Sequence, residues 1–448
     1  MDREVGELSF LSLLLASQLA TTPITLDEVR EASRQSLDAI RAQLDVTRAE
    51  TATKTSRSVI FPQVDLNLGA GVALIGAQRS FQTVPVIDPA SGTITGFSQR
   101  VVDTQPVEQG RFTFGLIVSQ LLYDGGRWWN QLAQSGAQEE ATRGQLREQQ
   151  LSSELEATRR FFELVKAQLA LKVFVETLGR SKQQVDRASA LYEAGRGSRS
   201  AVYDARTSLA NDEINVVRQR QRIGQARLSL LQWLGRSDAD VEAVVPANLD
   251  QSSPTFETAH ALKTARDTRP LFKSLEASIR AGELGVAVSR ADYFPRITAS
   301  AQYSRNSPAL DLFFDPTKQN VLSLGANLTW DLFSGFQHVA QEERARADLT
   351  QAQAQQKQSI IDLEAEIARA NDAYSTEVEV LAISEKNLGV AKEQQSLEEE
   401  RFSAGAGSSL EVRNAQIKYT QAQLSVLQGR ADVATARAAL ERAVGGSP

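Results

Sequence analysis

Residues 322–338 read Leu322-Ser323-Leu324-Gly325-Ala326-Asn327-Leu328-Thr329-Trp330-Asp331-Leu332-Phe333-Ser334-Gly335-Phe336-Gln337-His338, and the period changes inside this stretch. Leu322, Leu324, Ala326, Leu328, Trp330 and Leu332 alternate with Ser323, Gly325, Asn327, Thr329 and Asp331. That is the two-residue period of a strand with one apolar face. Past Ser334, a helix-capping residue, and Gly335, which permits a sharp reversal, the spacing becomes helical. Ile360, Ile367, Tyr374, Leu381, Leu388, Gln395 and Phe402 lie seven apart, and a seven-residue repeat imposes left-handed supercoiling. The local unit is therefore a strand that feeds a long coiled helix through a glycine corner.

The same unit occurs earlier in the chain. Gly115 to Gly235 lies over Gly325 to Gly445 at a constant shift of 210 (325 − 115 and 445 − 235), which marks an internal repeat. At that shift Gly125 falls on Gly335, Ala194-Gly195 on Ala404-Gly405, Gly197 on Gly407 and Ser198 on Ser408. Phe61-Pro62 matches Phe294-Pro295 at a shift of 233, so the first unit carries 23 extra residues (233 − 210) before its glycine corner. They fall between Leu74 and Gly110, where Pro85, Pro89, Pro106 and Ser91-Gly92 predict a long hairpin loop.

Each repeat predicts two strands. In the first, Val64, Leu66, Leu68, Ala70 and Val72 alternate with small or polar residues, as do Phe112, Phe114, Leu116 and Val118. In the second, Ile297, Ala299, Ala301 and Tyr303 precede the strand quoted above. Pro62 and Pro295 start extended chain where a helix ends. No proline interrupts Gly126 to Ala194, so one helix of about 69 residues, roughly 100 Å, is expected there. Leu164, Leu171, Leu178, Val185 and Tyr192 carry its heptad; Val202, Leu209, Val216, Ile223 and Leu230, and Val412, Tyr419, Val426, Val433 and Leu440, carry those of the two returning helices. Gly195 to Ser200 and Gly405 to Ser409 supply the left-handed stop and hydroxyl cap of each helix hairpin. The predicted organisation is a leader over 1–25, a first repeat over 26–235, a linker over 236–257 with Pro246 and Pro254, and a second repeat over 258–448. The fold class is mainly α, with a long coiled-coil helical part and four β-strands.

Composition removes several functional classes. The 448 residues contain no cysteine, which excludes disulfides, thiolate metal sites and cysteine nucleophiles. Only His260 and His338 are available for a histidine centre, and His338, at a helix start, reads as structural. The net charge of −6 disfavours a nucleic-acid partner. Mean hydropathy is −0.29, and no uncharged apolar run reaches the roughly 18 to 20 residues of a spanning helix. Gly69, Gly71 and Gly76 lack dinucleotide-binding spacing and no Gly-Lys-Ser/Thr follows a glycine-rich turn. No catalytic, metal or cofactor site is predicted, and an energy-coupled transporter lacks its nucleotide motif. The carboxylates of Glu398 to Glu400 read as a solvated helix face. Leu8 to Ala20 has the length of a signal-peptide core, with small residues from Ser17 to Ala20, although Asp2, Glu4 and Glu7 outweigh Arg3 in the flank. An export signal is expected, with a short buried helix as the alternative.

The doubled order of helix, Phe-Pro, strand, loop, strand, glycine corner, long helix, Gly-x-Gly-Ser turn and returning helix resembles the TolC-like outer membrane efflux protein family from Leu26 to Gly445. The resemblance implies a homotrimer in the outer membrane of a Gram-negative bacterium. Each chain would give four strands to a shared twelve-stranded barrel in lipid and its helices to a periplasmic tunnel. Such proteins are passive exit ducts for efflux or type I secretion, recruited by a periplasmic adaptor and by an inner-membrane efflux pump or ABC transporter. Four strands cannot close a barrel, and open edges are not viable in lipid, which agrees with sharing. Unlike some members, the chain has no lipidated cysteine.

The resemblance also assigns residues. Gly195, Arg196, Gly197, Gly405 and Gly407 stand at the tips that would meet the adaptor. Glu411, six residues beyond Gly405, stands where the family has an acidic constriction residue, and its repeat partner is Ala201. Asn414 stands at the next acidic position, and its repeat partner is Asp204. Three copies would gather three Glu411 and three Asp204 carboxylates at a periplasmic gate. A different class remains open, a soluble coiled-coil scaffold whose strands form a small sheet. Against it, Tyr123, Trp128, Trp129, Tyr293, Phe294, Trp330 and Phe333 concentrate at strand ends, where the interface girdle of a barrel lies.

Overall fold

The computed structural model describes residues 22–90, 92–236, 240–246, 258–308, 313–315 and 320–446. Most of the leader, residues 1–21, and the linker residues 237–239 and 247–257 lie outside the described residues, as does Ser91 of the long loop.

In chain order the elements are β1 (Thr22–Ile24), α1 (Leu26–Ser33), α2 (Leu37–Ser58), β2 (Gln63–Ile75), β3 (Gln78–Ile87), β4 (Ile94–Thr104), β5 (Val107–Tyr123), α3 (Arg127–Glu193) and α4 (Arg199–Trp233). After β6 (Val241–Ala243) come α5 (Thr258–Thr268), α6 (Pro270–Arg290), a single 3-10 turn, β7 (Arg296–Ser307), β8 (Asn320–Thr329), α7 (Gln337–Ser403) and α8 (Ser409–Val444). The two outgoing helices, α3 and α7, each have 67 residues. They start behind equivalent caps: Trp128 N–H donates to Asp124 Oδ2 at 2.9 Å, and His338 N–H to Ser334 Oγ at 3.4 Å.

Four strands form one antiparallel sheet in the order β2-β5-β7-β8. Its register places Leu66, Leu116, Tyr303 and Leu322 in one row and Val64, Val118, Ala301 and Leu324 in the next, all on one face. The opposite face carries Asp65, Ile117, Gln302 and Ser323, then Asn67, Gly115, Ser304 and Val321. The apolar face is open, with Leu324 76% exposed. Pairing slips between Leu121 and Tyr123. This β-bulge turns Tyr123 onto the apolar face beside Ile297 and Leu328, near the strand ends that also carry the exposed rings of Phe294 and Trp330. Among the described residues, both outer strands, β2 and β8, have one edge without a strand partner.

The structure adds two pairings to the four expected strands. The long loop is itself a hairpin, β3–β4, and Thr22–Ile24 pair in parallel with Val241–Ala243 of the expected linker.

The chain divides into two compact units, neither of which follows the repeat boundary. One comprises the described residues up to Glu50, Ala137–Arg280 and those from Thr350 onward; the other comprises Thr51–Gly136 and Ala281–Leu349. The second contains the sheet. In the first, the β1–β6 pair lies against a core of Val29, Phe161, Leu164, Val165, Leu230 and Leu231, where each fully buried large side chain stabilises by about 1.5–3 kcal/mol. The heptads mark the interior at Leu164, Val202, Val216 and Leu230, and at Ile367, Tyr374, Val412, Val426, Val433 and Leu440, all buried. Tyr192, at the end of its series, is exposed. Among the described residues no helix is long and apolar enough to cross a membrane.

Candidate functional site

The two hairpin tips share one backbone design. Gly195 N–H donates to Tyr192 O at 2.9 Å and Arg196 N–H to Leu191 O at 2.8 Å; Gly405 donates to Phe402 O at 3.0 Å and Ala406 to Arg401 O at 2.8 Å. Crossed bonds of this kind close a helix through a left-handed residue, and Gly195 and Gly405 have φ of 70° and 77°. Gly197 and Gly407 serve a different need. A Cβ on either would approach the backbone N of Tyr192 to 3.0 Å or that of Phe402 to 3.2 Å, whereas space around Gly195 and Gly405 is open. Ser198 and Ser408 then cap the returning helices, their Oγ atoms accepting from Ala201 N and Glu411 N.

Glu411 completes a capping box. Its Oε2 accepts from Ser408 N–H at 2.8 Å while its own N–H donates to Ser408 Oγ at 3.3 Å. The Ser408 N–H, and then the Ser408 hydroxyl, hold this exposed carboxyl below the ordinary carboxylate value. Asp204 is exposed on α4 and lines a cavity of about 350 Å³ with Ala201, Ser409, Leu410 and Arg413. Asn414 is exposed on α8. Within one chain, no ion pair or hydrogen bond joins Glu411 to Asp204 among the described residues.

The corners differ between repeats. Gly125 and Gly126 both have positive φ, and so do Gly335 and Phe336, the last with φ 65° and its ring edge-on to Phe333. A Cβ on Gly125 would meet Ala291 O and Phe294 Cβ, both at 2.7 Å, while Gly335 faces open space. Pro62 and Pro295 immediately precede β2 and β7. His338 packs edge-on against Tyr293, with ring centroids 5.8 Å apart.

Two buried charge clusters escaped the sequence reading. Arg413 of α8 grips Asp212 of α4 through both Nη atoms, and Ser181 Oγ of α3 donates to the same carboxylate at 2.5 Å. The signal existed: Asp212 lies three residues past Leu209, on the interior stripe of the heptad, where its repeat partner is Ala422. Elsewhere in this unit, Arg269 and Arg442 each bridge Glu148 and Glu366 in a closed, charge-balanced ring with distances of 2.5 to 3.0 Å.

A four-stranded sheet with one exposed apolar face and two hairpins of very long helices are the elements expected of an outer-membrane channel protein. The sequence profile of the family described as outer membrane efflux protein matches residues 28–236 and 261–446, and the chain belongs to that family. It is 30% identical over 195 residues to the outer membrane efflux protein BepC of Brucella suis, covering 43% of this chain and 41% of that protein. It is 27% identical over 286 residues to CyaE of Bordetella pertussis, covering 64% and 60%. The matched regions thus span less than two thirds of either relative. Among solved structures, the CmeC outer membrane channel of Campylobacter jejuni superposes with a TM-score of 0.76 at 17% identity, over 94% of this chain and 86% of that one. The likeness establishes the fold of a helical tunnel with barrel strands. Family and fold are those of outer-membrane channels rather than enzymes, and the soluble-scaffold alternative loses its basis.

Proposed function

We propose that this chain is the passive outer-membrane exit duct of a tripartite efflux or type I secretion system, acting as a homotrimer. The observation that carries the proposal is the sheet β2-β5-β7-β8, which is apolar on one face and, among the described residues, has no strand partner at either edge. In lipid an unpaired edge costs several kcal/mol per backbone group, so the sheet must be closed by other strands. Three copies joined β8 to β2 give twelve strands, with lipid against the leucine rows and water against the Asp65 and Asn67 rows. The helix hairpins then form a periplasmic tunnel, at whose end six glycine tips offer small-residue notches to a periplasmic adaptor, which couples the duct to an inner-membrane efflux pump or ABC transporter. Three Glu411 and three Asp204 carboxylates near the axis make the periplasmic end negative and favour cations.

Reconstitution of the purified protein into planar bilayers without any energy source tests the proposal. Stable ohmic conductance with a preference for cations is expected. Failure of a correctly folded, detergent-extracted protein to conduct would overturn the duct reading.

A further inference from the structure

The β3–β4 hairpin continues the β2–β5 pairing without a slip. Ile75 pairs with Val107 and Gln78 with Thr104, three residues further along each strand. The intervening step contains Pro106, which has no N–H to give to the ladder. Because the register is kept, odd-numbered residues stay on one face throughout. Below the break that face carries Asp65, Asn67 and Gly69, the polar side of the sheet; above it the same face carries Phe81 opposite Val101, then Thr83 opposite Gln99, Pro85 opposite Phe97 and, past a bulge, Ile87 opposite Ile94. The other face changes in the opposite sense, from the leucines of β2 to Gln78, Ser80, Gln82, Ser98 and Arg100, with three valines and no aromatic ring. The apolar residues have moved from the leucine face of the sheet to its opposite face.

Phe81 and Phe97 are 64% and 73% exposed in the single chain. A lone two-stranded ribbon is marginally stable in water, and a patch of this kind requires a cover. Near the base of the same face, Arg79 and Asp103 neutralise one another through two hydrogen bonds at 2.7 and 3.1 Å, so no net charge opposes the approach of an identical ribbon.

We propose that the cover is the same ribbon of the other two copies, so that three hairpins pack their Phe81, Phe97 and Ile87 faces together over the external mouth of the barrel as a cap. The inference rests on the trimeric reading above. Twelve strands spaced about 4.8 Å and tilted about 40° enclose a mouth of radius about 12 Å. A ten-residue strand spans about 33 Å, enough to reach the axis.

The chain has no cysteine of its own, so single cysteines report directly. Phe97→Cys, oxidised in intact cells, is expected to give a disulfide-linked pair of chains on a denaturing gel, and Gln82→Cys, on the other face, is not. Phe81→Asp with Phe97→Asp is expected to raise single-channel conductance roughly two-fold or more by opening the mouth. Sedimentation of each variant in detergent reports the trimer separately. A Phe97→Cys trimer whose introduced thiol stays uncrosslinked, links to a different protein, or reacts with an impermeant maleimide as fast as the thiol of Gln82→Cys would overturn the cap. A trimer whose conductance the paired aspartates leave unchanged would do the same. Absence of any trimer would instead overturn the reading beneath it.

Discussion

One Arg413 guanidinium grips the Asp212 carboxylate through two hydrogen bonds, at 2.8 and 3.1 Å, across 201 residues of sequence. The pair ties the returning helix of the second repeat to that of the first. Asp212 is buried and also takes the Ser181 hydroxyl proton of α3 in a hydrogen bond, so three helices meet at one carboxylate. Removing one member of such a pair strands a charge in a low-dielectric site and costs about 3–5 kcal/mol. Asp212→Ala should therefore lower the midpoint of thermal unfolding strongly. Asp212→Ala combined with Arg413→Leu should be milder than Asp212→Ala alone. Equal losses in the two variants would contradict the pairing.

Glu411 connects helix capping to pH. Its carboxyl lies below the ordinary value because the ionised form accepts from Ser408 N–H. The cap's contribution is therefore fully present above the unfolded carboxylate value, about 4.3, and is lost as pH falls through the lower folded value. Protection of the Ser408 amide, its exchange rate relative to that of an unstructured peptide at the same pH, should hold at neutral pH and fall only in that acid window. Glu411→Ala should remove this fall in protection; a fall that persists would assign it to another group.

The same residue belongs to the proposed periplasmic gate. Glu411→Ala with Asp204→Ala should reduce cation preference and divalent-cation block in bilayers while leaving the trimer intact. Unaltered selectivity would move the constriction elsewhere.

The two glycine corners should not respond alike. Alanine at Gly335 meets open space and bears only the strain of a left-handed φ, about 1–2 kcal/mol. Alanine at Gly125 bears the same strain and also collides with Ala291 O and Phe294 Cβ. On unboiled gels Gly125→Ala should lose the trimer band at a lower temperature than Gly335→Ala; the reverse order would refute the packing argument.

Much of this architecture was legible in the sequence, for reasons visible at particular residues. The outgoing helices run Arg127–Glu193 and Gln337–Ser403 because glycine corners and capping residues bound them and no proline falls between. The tips were readable because a left-handed turn needs glycine and the next helix needs a hydroxyl. The β3–β4 ribbon was hidden because Pro85, Pro89 and Pro106 signal a loop, although alternation at Phe81, Thr83 and Pro85 was present. The ion pairs were hidden for another reason: periodicity locates an interior stripe but not the partner of a charge on it. Arg413 and Asp212, or Arg269 and Glu366, come together only through tertiary packing.

The tips separate folding from docking. A bulky side chain at Gly405 would project into open space and strain the turn by about 1–2 kcal/mol, without a clash. Gly405→Leu should reach the outer membrane at normal levels yet lose efflux in a susceptibility assay. Gly407→Leu, where a Cβ crowds Phe402 N, should lower protein levels as well. Full efflux by Gly405→Leu would remove the tip from the adaptor interface.

Closure of one barrel by the open sheets of separate chains fixes the mass of the protein extracted from outer membranes, which sedimentation equilibrium in density-matched detergent measures. A single species of three chain masses, each 48.9 kDa less the leader removed on export, that requires detergent to stay dispersed is expected. A monodisperse species of one chain mass, stable without detergent, would contradict it.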